Sequence, residues 1–239
     1  MTSSSAPEKQ MVLIIGGGFA GAACALRLSE HGIKSVLIEA QHRLGGRAQT
    51  VELAPGVLID FGASNVHGYE HGDKNPARRL AERLDIQLQV PEPSPGHVYT
   101  SDGRQIPSDR VAELRDKIGK IMGERTSPQP EGENSSLGNR VITELQALSP
   151  DAEGLARTAE LGAGIRLEDI SAKYWKTERG FAGVDALPVG GYSEMVRKAV
   201  EQSGGEVHLG QDVKAIQQMK SGFVKVTTRQ NRTYEAGHV

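Results

Sequence analysis

The chain has 239 residues, of which 37% are hydrophobic, and this is enough to bury the core of one large domain or of two interleaved smaller ones. Its 28 basic and 30 acidic residues are mixed along the sequence and give a formal net charge of -2. This balance gives no electrostatic reason to expect nucleic acid or an acidic lipid surface as a partner, and no apolar stretch is long enough to span a membrane.

The first ten residues are small and polar and lack the basic and apolar regions of a signal peptide, which predicts a disordered tail over 1–10. We therefore expect a cytoplasmic protein. The one cysteine, Cys24, lies in an alanine-rich stretch, and this setting predicts a small buried thiol that neither pairs nor reacts.

Two short apolar runs, at 11–15 and 35–39, flank about twenty residues of helix-like sequence. Because both runs are apolar on both faces, they predict inner strands of a parallel sheet that is covered by helices, as in a Rossmann-like α/β fold. A third strand is predicted at 57–61. A short helix is predicted at 75–84, with Pro76 in its first turn.

Composition changes near residue 91, where three prolines fall within six residues, and we expect a domain crossing there. A hairpin around Asp102-Gly103 and a mobile polar loop at 124–136 are predicted beyond it. Apolar residues at helical spacing predict two helices on either side of that loop, with Val111, Leu114, Ile118 and Ile121 on the first and Leu137, Val141, Leu145 and Leu148 on the second.

A second crossing is expected near residue 184. The spacing of Tyr192, Met195, Val196, Ala199 and Val200 predicts one buried helix face, and Gly204-Gly205 ends that helix. Three strand candidates follow, "EVHL", "VKAIQQ" and "FVKVTTR", which suggests that the chain returns to its first domain. The predicted segments are thus 11–90, a mainly helical 91–184, and 185–239.

The spacing Gly16-x-Gly18-x-x-Gly21 follows the first strand and opens a helix, which is the setting of a dinucleotide-binding turn. Gly16 permits the turn, Gly18 lets the backbone approach a pyrophosphate, and Gly21 lets the helix pack against the strand. With Ala20, these glycines are the first cofactor-binding candidates. The helix N-terminus would offer N–H groups to the anion.

Glu39 lies 18 positions after Gly21, at the end of the second strand, where a carboxylate can accept both hydroxyls of an adenosine ribose. The same carboxylate would repel a 2'-phosphate, so NADP is disfavoured. A second glycine pair, Gly45-Gly46, brings Arg47 forward as a bidentate donor to pyrophosphate oxygens. A nicotinamide dehydrogenase does not need this second element, which favours FAD over NAD.

The sequence resembles the FAD-dependent amine oxidase family, and within it the polyamine oxidases. The resemblance rests on "IIGGGFAG", "LIEAQHRLGGR", "IDFGASNVHG", "NPARRLAERL" and "VGGYSEMVRKAV". It implies an FAD-binding domain built from 11–90 and 185–239, with 91–184 as a partial substrate domain.

The resemblance also implies roles for single residues. Gly62, Ala63 and Ser64 match a small-residue segment that runs beside the flavin, and Val213 matches a position whose backbone contacts adenine. His67 matches a histidine that helps to place an amine in the substrate tunnel. From the residues alone, His67 could equally be a surface histidine, and Val213 is more simply a core residue. No metal site is predicted.

The activity that the resemblance implies is oxidation of the C–N bond of a polyamine-like amine, by hydride transfer to flavin and reduction of O2 to H2O2. The partners would be a small-molecule amine and O2. Relative to the family the chain looks like an N-terminal portion, so we expect weak FAD binding, low or no turnover, and exposed apolar faces that favour self-association.

Two other interpretations stay open at this stage. One is a catalytically inactive FAD-binding remnant or interaction protein. The other is a flavoprotein with the same N-terminal pattern, such as a carotenoid desaturase or a protoporphyrinogen oxidase.

Overall fold

The computed structural model describes residues 10–69, 75–92, 96–124, 135–175, 180, 181 and 183–239. The chain divides into two compact units: unit 1 comprises Met1–Pro91 and Phe181–Val239, and unit 2 comprises Glu92–Gly180. Both divisions lie close to the crossings expected at 91 and 184. The predicted tail, apart from its last residue, and most of the predicted loop at 124–136 lie outside the described residues.

The N-terminal part of unit 1 begins with a strand, a helix and a second strand, as predicted. Its elements are β1 (Val12–Ile15), α1 (Phe19–Glu30), β2 (Ser35–Ile38), β3 (Ala48–Ala54), β4 (Val57–Gly62), α2 (Pro76–Arg83) and β5 (Leu88–Gln89). β1 and β2 pair in parallel, with Val12 opposite Ser35 and Ile15 opposite Ile38. β2 is buried along its whole length, as expected of an inner parallel strand.

The described part of unit 2 contains a hairpin and four helices. Its elements are β6 (Val98–Tyr99), β7 (Gln105–Ile106), α3 (Ser108–Glu124), α4 (Leu137–Leu148), α5 (Pro150–Ala156) and α6 (Thr158–Ala163), with a single 3-10 turn at Leu167–Asp169. The hairpin pairs Val98 with Ile106 around the predicted turn, and the two predicted helices form. The apolar stripes of α3 and α4 make the core of the unit. Ile121 and Leu148 are partly buried against it, and Met122, which was not predicted, is buried in it.

The returning segment completes unit 1. Its elements are β8 (Leu187–Pro188), α7 (Tyr192–Ser203), β9 (Glu206–His208), β10 (Val213–Gln218), β11 (Val224–Thr228) and β12 (Thr233–Ala236). β9 pairs in parallel with β2, so the parallel sheet has the order β1-β2-β9. β10, β11 and β12 form an antiparallel sheet. The three strand predictions here are confirmed, and β12 was not predicted.

The parallel sheet of unit 1 is covered on both faces. Ile14 and Leu37 belong to a core with buried residues of α1 and α7, whereas Leu13 and Ile38 pack with residues of β11 and β12. Side chains alternate across a strand, so adjacent residues of β1 serve opposite faces. Unit 1 therefore has the layered, Rossmann-type arrangement that its sequence predicted.

The prediction that Cys24 is buried is wrong, because its side chain is exposed. α1 turns Ala22, Ala25 and Leu26 inward, at the i, i+3 and i+4 spacing of one helix face. Cys24 lies two positions after Ala22, and that offset places it on the outer side of the helix.

The strand predicted at 57–61 forms as β4, but it pairs antiparallel with β3, which was not predicted. This ribbon leaves large apolar side chains open to solvent, with Leu53 59% and Phe61 55% exposed. Exposed apolar surface, which the sequence predicted, thus lies on β3 and β4 of unit 1. None of the described helices combines the length and apolar character that crossing a bilayer requires.

Candidate functional site

The glycine turn after β1 holds the backbone of α1 against the strand. Gly16 has a φ of +100°, and its N–H donates to the Ile38 carbonyl at 2.8 Å. A Cβ on Gly21 would lie 1.9 Å from the Gly16 oxygen, so only glycine fits this helix position. α1 begins after Gly18 with no side-chain cap and no acidic residue in its first turn. Its N-terminal N–H groups thus suit an anion.

Glu39 lies directly beneath this turn and is only 7% exposed. Its Oε2 accepts a hydrogen bond from the Gly17 N–H at 2.5 Å, and its Oε1 accepts one from the Gln41 N–H at 2.7 Å. Its backbone N–H donates to the carbonyl of His208, the last residue of β9, and its carbonyl accepts the N–H of Gln211, three residues later. A carboxylate has about four acceptor positions, so two remain for other donors.

The two glycine-rich stretches of the sequence lie in contact. The Gly45 N–H donates to the Gly17 carbonyl at 2.8 Å, and Gly18 and Gly45 form a parallel bridge. Gly45 and Gly46 have φ values of +109° and +59°, and a Cβ on Gly46 would come within 3.4 Å of the Gly18 Cα. The structure therefore brings together backbone from both stretches with no side chain between them.

Two arginines flank the second glycine pair and differ in their surroundings. Arg43 was not predicted to matter, yet its guanidinium folds back and donates to the carbonyls of Leu44 at 3.2 Å and Gly46 at 2.9 Å. Arg47 is exposed and has no side-chain hydrogen bond or ion pair with any residue that the structure describes. Arg43 shapes the loop, and Arg47 is available to a ligand.

The small-residue segment that begins at the last residue of β4, Gly62 to Ser64, lies beside the backbone of Arg47. The Ala63 N–H donates to the Arg47 carbonyl at 3.1 Å, and a Cβ on Gly62 would lie 2.1 Å from the same oxygen. Gly62 has a φ of +110°, and it is exposed together with Ala63, whereas Ser64 is half-buried. This segment is therefore adjacent to the glycine-rich stretches, and any side chain at position 62 would clash with the Arg47 carbonyl.

The ribbon of β3 and β4, which leads into this segment, is held by hydrogen bonds to the start of α7. Asp60 accepts the Tyr192 N–H on both oxygens, at 3.0 and 3.2 Å, and also the Thr50 hydroxyl at 2.5 Å. Thr50 in turn accepts the Ser193 N–H at 3.1 Å. Burial raises the pKa of the Tyr192 phenol, and the Asp60 carboxylate adds to the rise. Asp60 thus caps α7 from another element and fixes the position of the ribbon.

The two remaining predicted residues lie in different settings. His67 is exposed, and its Nδ1 lies 2.9 Å from Oδ2 of Asp185. Val213 begins β10 opposite Thr228 and packs against the core on the face of the parallel sheet that β11 and β12 cover. It follows Gln211, whose N–H donates to the Glu39 carbonyl, by two residues.

The hydrogen-bonded groups of this site form one continuous line across unit 1. Hydrogen bonds join Glu39 to Gly17, Gly17 to Gly45, and Ala63 to Arg47. A buried carboxylate lies at one end, bare backbone in the middle, and the exposed Arg47 guanidinium near the other end. This is the donor and acceptor set that the adenosine diphosphate part of a dinucleotide requires.

Comparison with protein families gives this arrangement a context. A family model described as flavin containing amine oxidoreductase matches residues 19–239. The chain belongs to this family. FAD is the cofactor of these flavin-containing enzymes, and the parallel sheet of unit 1 is their Rossmann-type FAD-binding fold. The match begins at Phe19, so the contacts of the preceding glycine turn are independent support.

Several members of the flavin amine oxidoreductase family are similar to the chain. Polyamine oxidase 2 of Arabidopsis thaliana is 27% identical over 94% of this chain and 49% of its own length. Polyamine oxidase 5 of Oryza sativa subsp. japonica is 29% identical over 90% of this chain and 47% of its own length. Lysine-specific histone demethylase 2 of Homo sapiens is 27% identical over 97% of this chain and 30% of its own length. The chain spans about half the length of these polyamine oxidases.

Sequence reasoning missed three residues that the structure places around the predicted ones. Arg43 could have been noticed, because it immediately precedes "LGGR" and can reach the loop carbonyls. Asp60 and Asp185 carried no local signal, since each acts on a residue more than a hundred positions away.

Proposed function

We propose that the chain binds FAD through its adenosine diphosphate part and contributes that half of the cofactor site to an amine oxidase. The observation that carries this proposal is the contact between the two glycine-rich stretches above the buried Glu39 carboxylate. No other described part of unit 1 combines bare backbone, a helix N-terminus and a buried acceptor in this way.

In this proposal each residue has one task. Glu39 accepts the ribose hydroxyls with its remaining acceptor positions, and the backbone at Gly16, Gly18, Ala20 and Gly21 donates to the pyrophosphate. The Arg47 guanidinium neutralises the pyrophosphate from the other side, while Gly46 gives it room. The backbone at Val213 lies against the adenine.

The flavin end of the proposed site begins at Gly62, Ala63 and Ser64. Small side chains and exposed backbone there allow a flat ring to lie close to the chain. When bound there, FAD would supply the acceptor for a hydride from the carbon next to the amine nitrogen, with O2 as the final oxidant and H2O2 as its product. The residues of this chain orient the cofactor, and His67 is proposed to place the amine.

The proposed substrate class is an aliphatic polyamine. Support comes from relatives that are polyamine oxidases and from the "VHG" motif that contains His67. We likewise propose that unit 1 binds the cofactor and that unit 2 is part of the substrate domain.

Competition binding tests the cofactor proposal. ADP should displace FAD from the chain, whereas FMN, which has the flavin but no adenosine, should not. NADP should bind more weakly than NAD, because its 2'-phosphate meets the Glu39 carboxylate. Equal binding of FMN and FAD would overturn the proposal, as would no binding of any adenine nucleotide. Peroxide release on adding spermine to the FAD-loaded chain tests the activity separately.

A further inference from the structure

The pairing of His67 with Asp185 is the feature of unit 1 that the proposed cofactor site does not use. The His67 Nδ1 lies 2.9 Å from the Asp185 Oδ2, and the two side chains are 61% and 40% exposed. Exposed pairs of this kind contribute little to stability when their side chains move freely. What distinguishes this pair is how firmly the backbone on both sides of it is held.

The backbone around His67 and that around Asp185 run side by side. The Val66 N–H donates to the Ala186 carbonyl at 2.8 Å, and the Ala186 N–H donates back to Val66 at 3.0 Å. The Tyr69 N–H also donates to the Val184 carbonyl at 2.8 Å. Because Val66 and Ala186 are fully buried, this short pairing fixes His67 and Asp185 as neighbours.

A third element holds the His67 backbone from the other side. The side chain of Asn75 is buried, and its Nδ2 donates to the His67 carbonyl at 2.6 Å. The Asn75 Oδ1 accepts the Ala77 N–H at 2.8 Å and caps α2. Only the imidazole ring of His67 is left to rotate, and Asp185 restrains that rotation.

The hydrogen bond to Asp185 also determines which ring nitrogen carries the proton. A carboxylate accepts, so in the neutral ring Nδ1 is the donor and Nε2 is left as an acceptor. His67 Nε2 has no partner among the residues that the structure describes. The nearby Arg78 does not compete for Asp185, because it donates to Glu82 and to the Tyr69 carbonyl.

We propose that Asp185 is a positioning residue, which holds His67 with Nε2 as an acceptor for an N–H of an aliphatic ammonium group. Its carboxylate also supplies the negative charge that favours a cation at this place. The inference rests on the proposed function, since it assigns the amine end of the same site. The ligand class is an aliphatic di- or polyamine, bound through one of its nitrogen atoms.

NMR of the chain labelled with 15N-histidine tests this directly, without cofactor or turnover. At about pH 8, where an ordinary histidine is neutral, long-range 1H–15N spectra identify the protonated nitrogen. His67 should carry its proton on Nδ1, and spermine added at constant ionic strength should shift its Nε2 resonance in a saturable way. Asp185→Ala should move the proton toward Nε2 and weaken spermine binding about two- to fivefold.

One further variant separates the effect of the Asp185 charge from that of its hydrogen bond to His67, and a second serves as a control. Asp185→Asn keeps an oxygen acceptor for Nδ1 but removes the charge, so the proton should stay on Nδ1 while spermine binding weakens. Glu206→Ala removes the similar carboxylate partner of His208, at 2.9 Å, and should leave the His67 signals unchanged.

A His67 proton on Nε2 in the unaltered chain would overturn the inference, and so would an Asp185→Ala spectrum identical to that of the unaltered chain. Failure of the proposed function would instead appear as absence of FAD and ADP binding. The His67 spectra are recorded without nucleotide, so the two failures are distinguishable.

Discussion

The Gly17 N–H donates a hydrogen bond of 2.5 Å to Glu39 Oε2, so the acid at the end of β2 is bonded directly to the turn at the end of β1. The second oxygen of the same carboxylate accepts the Gln41 N–H. Glu39 therefore stabilises the apo turn as well as offering acceptors to a ribose. A hydrogen bond to a charged group contributes about 1.5–3 kcal/mol.

Glu39→Gln should weaken both functions. An amide offers an oxygen to one of the two N–H groups and an NH2 group to the other, so one bond is lost. We expect the free energy of unfolding in urea to fall by about 1.5–3 kcal/mol and ADP affinity to fall about tenfold or more.

Glu52→Gln is the matched control for this substitution. Glu52 also accepts a backbone N–H, from Gly56 at 2.9 Å, but it is exposed, so the change should be within about 0.5 kcal/mol. Equal free energies of unfolding for the two variants would show that the buried hydrogen bonds of Glu39 stabilise the chain no more than the exposed one of Glu52.

Arg47→Met should separate ligand binding from stability. The Arg47 side chain is exposed and makes no hydrogen bond or ion pair with a described residue, so its loss should change the free energy of unfolding by less than about 0.5 kcal/mol. The Kd for FAD, measured by isothermal titration calorimetry, should rise about tenfold to a hundredfold, because a charge-assisted contact to pyrophosphate is lost. Lys220→Met removes the same charge at an exposed turn and is the control. An equal rise in the Kd for FAD there would mean that Arg47 acts only through the net charge of the chain.

Gly21→Ala should disrupt the packing of α1 on β1. The added Cβ meets the Gly16 carbonyl, a backbone atom that cannot rotate away, and we expect a loss of about 3 kcal/mol. Gly119→Ala in α3 is the helical control, because nothing lies within 4 Å of its Cβ position and it should gain about 0.5–1 kcal/mol. Thermal unfolding followed by circular dichroism would detect shifts of opposite sign, and shifts of the same sign would contradict the clash.

The part of unit 1 that could be predicted from sequence is the part whose contacts are local. The pattern around Gly16, Gly21 and Glu39 combines a strand, a helix and a strand within thirty residues, and each residue type has a steric or electrostatic reason to be there. The contact between Gly45 and Gly17 did not follow from their spacing, because the loop that returns the second glycine pair to the first has no local sequence signal.

Contacts between distant segments could not be predicted in the same way. β3 has a mixed sequence that alternates poorly, and it forms a strand because β4 pairs with it. Asp60 is an ordinary strand residue until α7 brings the Tyr192 N–H to it, 132 positions later. The alanine neighbours of Cys24 favour burial, but the helix period of α1 puts its side chain on the outer face.

Tyr192 should give unit 1 a pH dependence at alkaline pH. Burial, assisted by the Asp60 carboxylate, raises the pKa of its phenol above the ordinary value of about 10. The folded chain then holds this proton where the unfolded chain has lost it, so the associated stability is complete below about pH 10 and is lost as the pH rises through the folded pKa. Tyr192→Phe should flatten the fall in unfolding free energy above pH 10 in urea titrations. Tyr99→Phe, at a residue 57% exposed, should leave the slope unchanged, and equal slopes for all three chains would contradict the assignment.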